Sequence, residues 1–141
     1  MRHAHTLPEL VLTLSLLAII ATMAVPPLID TAARWRLRAA VGDIVNALVL
    51  AREAALARGS LATLVVDAPR GEVTVVCGSD TIARRAIGAT HGVTLAASGD
   101  SVRYAPDGLA TGVSNTTLLV ALGARIDSVV VSRLGRVRWG D

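Results

Sequence analysis

Uncharged positions run without a break from Leu10 to Ile29, twenty in a row, and one carboxylate, Glu9, stands directly before them. In a helix that run rises about 30 Å, the hydrocarbon thickness of a bilayer. The segment is therefore long enough to be inserted in a membrane at some stage of the chain's life. Beyond it the pattern changes. Leu28, Trp35, Val41, Ile44, Val45, Leu48, Val49 and Leu56 recur at helical spacing, with Arg34, Arg38, Asp43, Arg52, Glu53 and Arg58 between them. The two stretches together predict one helix from about Leu7 to Arg58, apolar all round in its first half and amphipathic in its second. Pro26-Pro27 would remove hydrogen bonds and bend it, and Gly59 would stop it after the favourably placed Arg58.

After Gly59 the period shortens to two. Strands are expected at Leu61–Asp67, Glu72–Cys77, Thr81–Ile87, Val93–Ala97, Ser101–Ala105, Thr116–Leu122, Ile126–Ser132 and Arg136–Trp139. Gly and Pro punctuate the gaps, including Ala68-Pro69-Arg70-Gly71 and Pro106-Asp107-Gly108. Short strands behind one long helix predict an α+β fold, with an antiparallel sheet or β-sandwich domain packed on the helix.

Composition narrows the chemistry without choosing a function. The 141 residues suit one domain once the apolar helix is set aside. Cys77 is the only cysteine, so no intrachain disulfide can form, and its apolar surroundings read as core rather than nucleophile. All fourteen basic residues are arginine, a bias that fits phosphate recognition but also a GC-rich genome. The net charge of +3 is small. His3, His5 and His91 do not form a set, and one histidine with one cysteine falls short of the three or four ligands a metal needs. Asp107 reads as a turn residue, and Asn115-Thr116-Thr117 as a chance glycosylation motif. No nucleophile with a base and no phosphate-cradling glycine loop is present, so neither an enzyme nor a cofactor is expected.

The N-terminus admits three readings. A secretory signal peptide has a shorter apolar core and a small-residue cleavage site after it, neither of which fits here. A plain membrane anchor explains the length but not Glu9, since a charge beside a span usually has a named partner. The third reading rests on Ala4-His5-Thr6-Leu7-Pro8-Glu9-Leu10. This stretch resembles the leader of type IV pilin-like proteins, although Ala4 stands where that family usually has glycine and His5 where it usually has phenylalanine. The resemblance implies cleavage after Ala4 by prepilin peptidase, N-methylation of His5 and a helix-bending Pro26. It also places Glu9 as the fifth residue of the mature chain. There its carboxylate would pair with the new amine of a neighbouring subunit and set register during assembly; the plainer alternative is a helix-dipole carboxylate. The implied organisation is a leader over 1–4, a membrane or filament-core helix over 5–29 and a periplasmic domain over 30–141. That domain comprises an amphipathic helix over 30–58 and a β domain over 60–141.

The C-terminus carries the other informative pattern. Ile126–Ser132 and Arg136–Trp139 flank Arg133-Leu134-Gly135, which predicts a terminal hairpin. Arg136 and Arg138 are two apart and share a strand face, with Val137 and Trp139 on the other, packing side. Arg133 at the turn would bring three guanidiniums within about 10 Å. The Tyr104 strand followed by Pro106-Asp107-Gly108, and the closing Gly135-Arg136-Val137-Arg138, resemble the GspH/FimT family of minor pseudopilins. That resemblance implies a minor subunit at or near the tip of a type II secretion pseudopilus or type IV pilus. Its neighbours would be other minor and major pilins or pseudopilins, and its unassembled form would sit in the bacterial inner membrane. In the FimT-like branch, a Gly-Arg-x-Arg ending implies contact with double-stranded DNA during uptake. Here this falls on Gly135, Arg136 and Arg138, with Arg133 beside them and Arg103 or Arg125 as candidate helpers. The competing reading makes these arginines a solvated strand face or a subunit contact.

Overall fold

The computed structural model describes residues 6–112 and 115–140, the side chains of 23–27 excepted. Ala4 and His5, the expected cleavage and methylation positions, lie outside the described residues, as do the side chains of Pro26 and Pro27. The chain divides into two compact units, Met1–Trp35 and Arg36–Asp141.

The first unit is the opening of helix α1, Leu7–Arg58, whose backbone is helical through Pro26-Pro27. Thr6 starts it. The Thr6 N–H donates to Glu9 Oε2 at 3.4 Å, and the Leu10 N–H donates to the Thr6 carbonyl at 3.2 Å. Glu9 thus satisfies a donor that the helix itself leaves unpaired. The described side chains from Leu7 to Thr22 are all exposed, and so are Leu28 and Ile29. The hydroxyls of Thr13, Ser15 and Thr22 bond back to the carbonyls of Leu10, Val11 and Ile19 at 2.8–2.9 Å. Each polar side chain from Leu10 to Thr22 is therefore satisfied within the helix, as an apolar environment requires. Among the described residues no helix is long and apolar enough to cross a membrane; the uncharged run includes residues 23–27.

In the second unit α1 buries Leu37, Ala40, Val41, Ile44, Ala47, Leu48, Ala51 and Ala55, an i, i+3/i+4 series. This corrects the predicted stripe. Val41, Ile44 and Leu48 face the core, but Leu28, Trp35, Val49 and Leu56 are exposed. Alanines fill the places between the true core positions because a methyl group lets strands approach the helix closely. Gly59 at φ 57° ends the helix, with the Ser60 N–H donating to the Ala55 carbonyl at 3.3 Å.

Two antiparallel sheets follow. The first has the order β3-β2-β1-β5-β6 and comprises β1 (Ala62–Asp67), β2 (Glu72–Cys77), β3 (Asp80–Arg85), β5 (Ser101–Tyr104) and β6 (Ala110–Thr111). The second has the order β4-β7-β8-β9 and comprises β4 (Thr94–Ala97), β7 (Thr116–Leu122), β8 (Arg125–Val131) and β9 (Val137–Trp139). Alternate residues of β1, β2, β5, β7 and β8 join the α1 face in one apolar cluster that holds Leu64, Val75, Tyr104, Leu118 and Val129. The α+β architecture is as the pattern predicts.

Two elements depart from it. The strand expected to reach Ile87 stops at Arg85, and Ile87–His91 forms the short helix α2 with Ile87 buried. Its Gly88 lies so close to Gly71 that a Cβ built on Gly71 would sit 2.9 Å from Gly88 Cα, and the Gly88 N–H donates to the Gly71 carbonyl at 2.9 Å. The two-residue β6, within the stretch read as a loop, pairs with β5.

Candidate functional site

The β8–β9 connection is built by its backbone. The Gly135 N–H donates to the Ser132 carbonyl, and the Ser132 N–H to the Arg136 carbonyl, both at 2.9 Å. Ser132 Oγ accepts from the Arg136 N–H at 3.2 Å. Gly135 closes this turn at φ 72°, a conformation that costs an L side chain about 1–2 kcal/mol. A Cβ there would also lie 3.2 Å from Tyr104 Cε1. The glycine of the Gly-Arg-Val-Arg stretch is therefore a turn and packing residue, and it aims the arginines that follow.

Arg133 is exposed at the turn, and Arg136 and Arg138 are exposed beyond it. Arg138 pairs with Val130 across the hairpin. Arg136 and Arg138 line one depression of about 380 Å³ with Ser132 and Leu134, and both also reach the pocket that Val137 and Trp139 line; β9 begins only at Val137. Among the described residues no ion pair engages Arg133, Arg136 or Arg138. Of the two candidate helpers, Arg125 is not brought to this hairpin end. Arg103 projects from β5 in the other sheet, and Arg125 opens β8 six residues before Val131, about 20 Å away along the strand.

Trp139 corrects the sequence expectation. It shares the inward side with Val137, but Val137 packs against the core while Trp139, two residues further out, is 63% exposed. It stands over a groove between α1 and β9. One half, about 470 Å³, is lined by Val45, Val49, Trp139, Arg52, Arg136, Arg138 and the buried Tyr104. The other half, about 600 Å³, shares Val45 and Trp139 and continues to Arg38 and Asp127. Burial pushes the Tyr104 phenol above its ordinary value, while the Arg52 guanidinium pulls it the other way. The sequence pattern does not reveal this groove. Its one available signal is the set of α1 positions, Val45, Val49 and Arg52, that flank the buried face.

Several of the remaining titratable residues tie elements of the fold together. Asp43 on α1 accepts from Arg85 at 3.1 Å and sits 2.8 Å from His91 Nε2, tying β3 and α2 to the helix. His91, isolated in sequence, thus has a partner 48 residues away. Asp107 Oδ1 accepts from the Leu109 N–H at 2.9 Å, the expected turn role. Cys77 is buried with Sγ 3.1 Å from Ser60 Oγ. Among the described residues no three His, Cys, Asp or Glu side chains gather as a metal site would need. What the surface offers is recognition by arginine and apolar contact.

Comparison with known proteins supplies the family. The model of a family described as type II transport protein GspH matches residues 40–135. Among solved structures, the type IV minor pilin FimU of Pseudomonas aeruginosa superposes with a TM-score of 0.66 at 13% identity, covering 77% of this chain and 90% of that one. A second crystal form of the same pilin gives 0.62 at 12% identity, covering 74% and 93%. At that identity the likeness is one of fold. A comparison with curated protein sequences gives no match.

Proposed function

The chain belongs to the GspH family of type II transport proteins, and on that premise we propose that it is a minor pseudopilin placed at or near the tip of a pilus-like filament. The observation that carries this reading is the exposed apolar arm, whose hydroxyls are satisfied within the helix. Such a surface needs a cover, in lipid before assembly and in a bundle of neighbouring pilin helices after it. In this reading the unassembled chain sits in the inner membrane with its domain in the periplasm. Prepilin peptidase removes residues 1–4, His5 becomes the N-methylated terminus, and Glu9 gives up its contact with Thr6 for the amine of a neighbouring subunit. A charge pair inside an apolar bundle replaces two costly lone charges, so it fixes register. The test is Glu9→Ala: membrane insertion persists and incorporation into filaments falls. Normal incorporation would sink the assembly role.

A second reading has one observation in its favour. Arg133, Arg136 and Arg138 stand together at one hairpin end without ion pairs among the described residues. Here the protein is a type IV pilus subunit that holds double-stranded DNA by its phosphates. Phosphate contacts give little sequence preference and a steep loss of affinity with salt. Titration with duplex DNA at low and moderate salt, alongside the Arg136→Ala/Arg138→Ala double variant, tests it. Salt-sensitive binding that the variant loses supports uptake; binding that the variant retains refutes these residues as the contact.

A further inference from the structure

We propose that the groove between α1 and β9 is a docking site for an extended, acidic segment of another protein, which adds to the free edge of β9. This goes beyond the assembly role, which is assigned to the apolar arm, and concerns the domain alone. Three observations converge on it.

The first is an unpaired edge. β9 is the last strand of its sheet, paired only with β8, and it leaves backbone donors and acceptors for a further strand. The second is size. Along α1 the groove extends from Arg52 to Arg38, fourteen residues or about 21 Å, which an extended segment of about six residues spans. The third is charge beside an apolar lining. The apolar Val45, Leu48, Val49 and Trp139 line the same half as Arg52, Arg136 and Arg138, and no ion pair among the described residues neutralises those three guanidiniums.

A strand alternating apolar and carboxylate side chains meets both features at once. Its apolar side chains lie on Val45, Val49 and Trp139, and its carboxylates are met by arginine, whose planar fork matches them. The far half carries Arg38 but also Asp127, so the acidic part of the segment belongs at the Arg52 end. Nucleic acid would satisfy the guanidiniums but leave the apolar lining and the strand edge unused.

The test uses the full chain in detergent and a fluorescein-labelled peptide of about ten residues alternating valine and glutamate. Three further ligands accompany it: the lysine counterpart, a version with alternate backbone amides methylated, and a short DNA duplex as competitor. Fluorescence anisotropy should show binding of the glutamate peptide only. Arg52→Glu and Trp139→Ala should each weaken it by about tenfold, with unchanged circular dichroism. Arg84→Glu, on β3 at the far edge of the other sheet, should leave it unchanged and serves as the charge control. The proposal is overturned if the glutamate peptide does not bind or if the lysine peptide binds equally. It is also overturned if the methylated peptide binds equally, since strand addition needs those amides. Displacement by the duplex would likewise overturn it and favour the DNA reading of Arg136 and Arg138.

Discussion

Gly135 joins two roles that a motif reading assigns to one. It is the first residue of Gly-Arg-Val-Arg, yet its φ of 72° and the Tyr104 ring, 3.2 Å from where a Cβ would stand, tie it to the fold before any ligand arrives. Gly123 separates the two roles, because it shares the backbone angle at φ 61° but has open space where a Cβ would go. Gly123→Ala should therefore lose only the backbone contribution, about 1 kcal/mol, and Gly135→Ala about 2–3 kcal/mol once the ring must shift. Equal losses in urea unfolding would show that the Tyr104 contact carries no weight. Asp43 offers a second test at this scale. Its His91 partner is 15% exposed and its Arg85 partner 41%, so water and salt weaken the arginine contact more. Double-mutant cycles should give a coupling of about 1 kcal/mol with His91 and a few tenths with Arg85. The reverse order would mean that the Arg85 pair is the one holding β3 to the helix.

Among the elements, α1 is the most readable and the most deceptive. Its ends at Leu7 and Arg58 follow from the capping sequence and from Gly59, and the paired strands follow from period-two runs with glycine and proline between them. Its core face is misread when hydrophobic weight goes to Trp35, Val49 and Leu56, whereas the helix packs through Ala40, Ala47, Ala51 and Ala55. Periodicity locates an apolar stripe, but it does not say which of two adjoining stripes the strands cover when one is made of methyl groups. The close packing makes a prediction. Ala51→Leu adds three carbons to a fully buried site and should cost about 1–3 kcal/mol. Ala57→Leu, on the exposed side of α1 nearly two turns further along, should stay within about 0.5 kcal/mol. The other departures have local causes of the same kind. α2 forms because the Gly71–Gly88 approach and the His91–Asp43 contact, neither visible in a linear pattern, hold five residues in a turn. At the candidate site, the arginine spacing is legible because strand alternation is local. The groove is not, since the α1 and β9 residues that line it, Val45 and Trp139 among them, are far apart in sequence.

At the scale of the whole molecule the two units obey opposite rules. Arg36–Asp141 gathers its buried apolar side chains in one cluster and leaves others, such as Leu56 and Trp139, exposed singly, while the helix before it exposes Leu10, Leu12, Leu14, Leu16, Leu17, Ile19 and Ile20 in one run. Covering each such side chain is worth about 1.5–3 kcal/mol, so together they rival the roughly 5–15 kcal/mol that holds an ordinary domain folded. The arm should therefore bind lipid strongly without contributing to the stability of the domain. Mixed with phospholipid vesicles, the full chain should float with them. Leu17→Asp/Ile20→Asp places two charges near the middle of the uncharged run, each costing about 2.5–3.5 kcal/mol in a bilayer, and should leave the chain in the aqueous fraction with its domain circular dichroism unchanged. Thr13→Val should float as the parent does, because the Thr13 hydroxyl already bonds to the Leu10 carbonyl and brings no unpaired group into lipid. If the double aspartate variant floats undiminished, the apolar arm is not what attaches this protein to a membrane, and the exposed leucines must be covered by protein from the start.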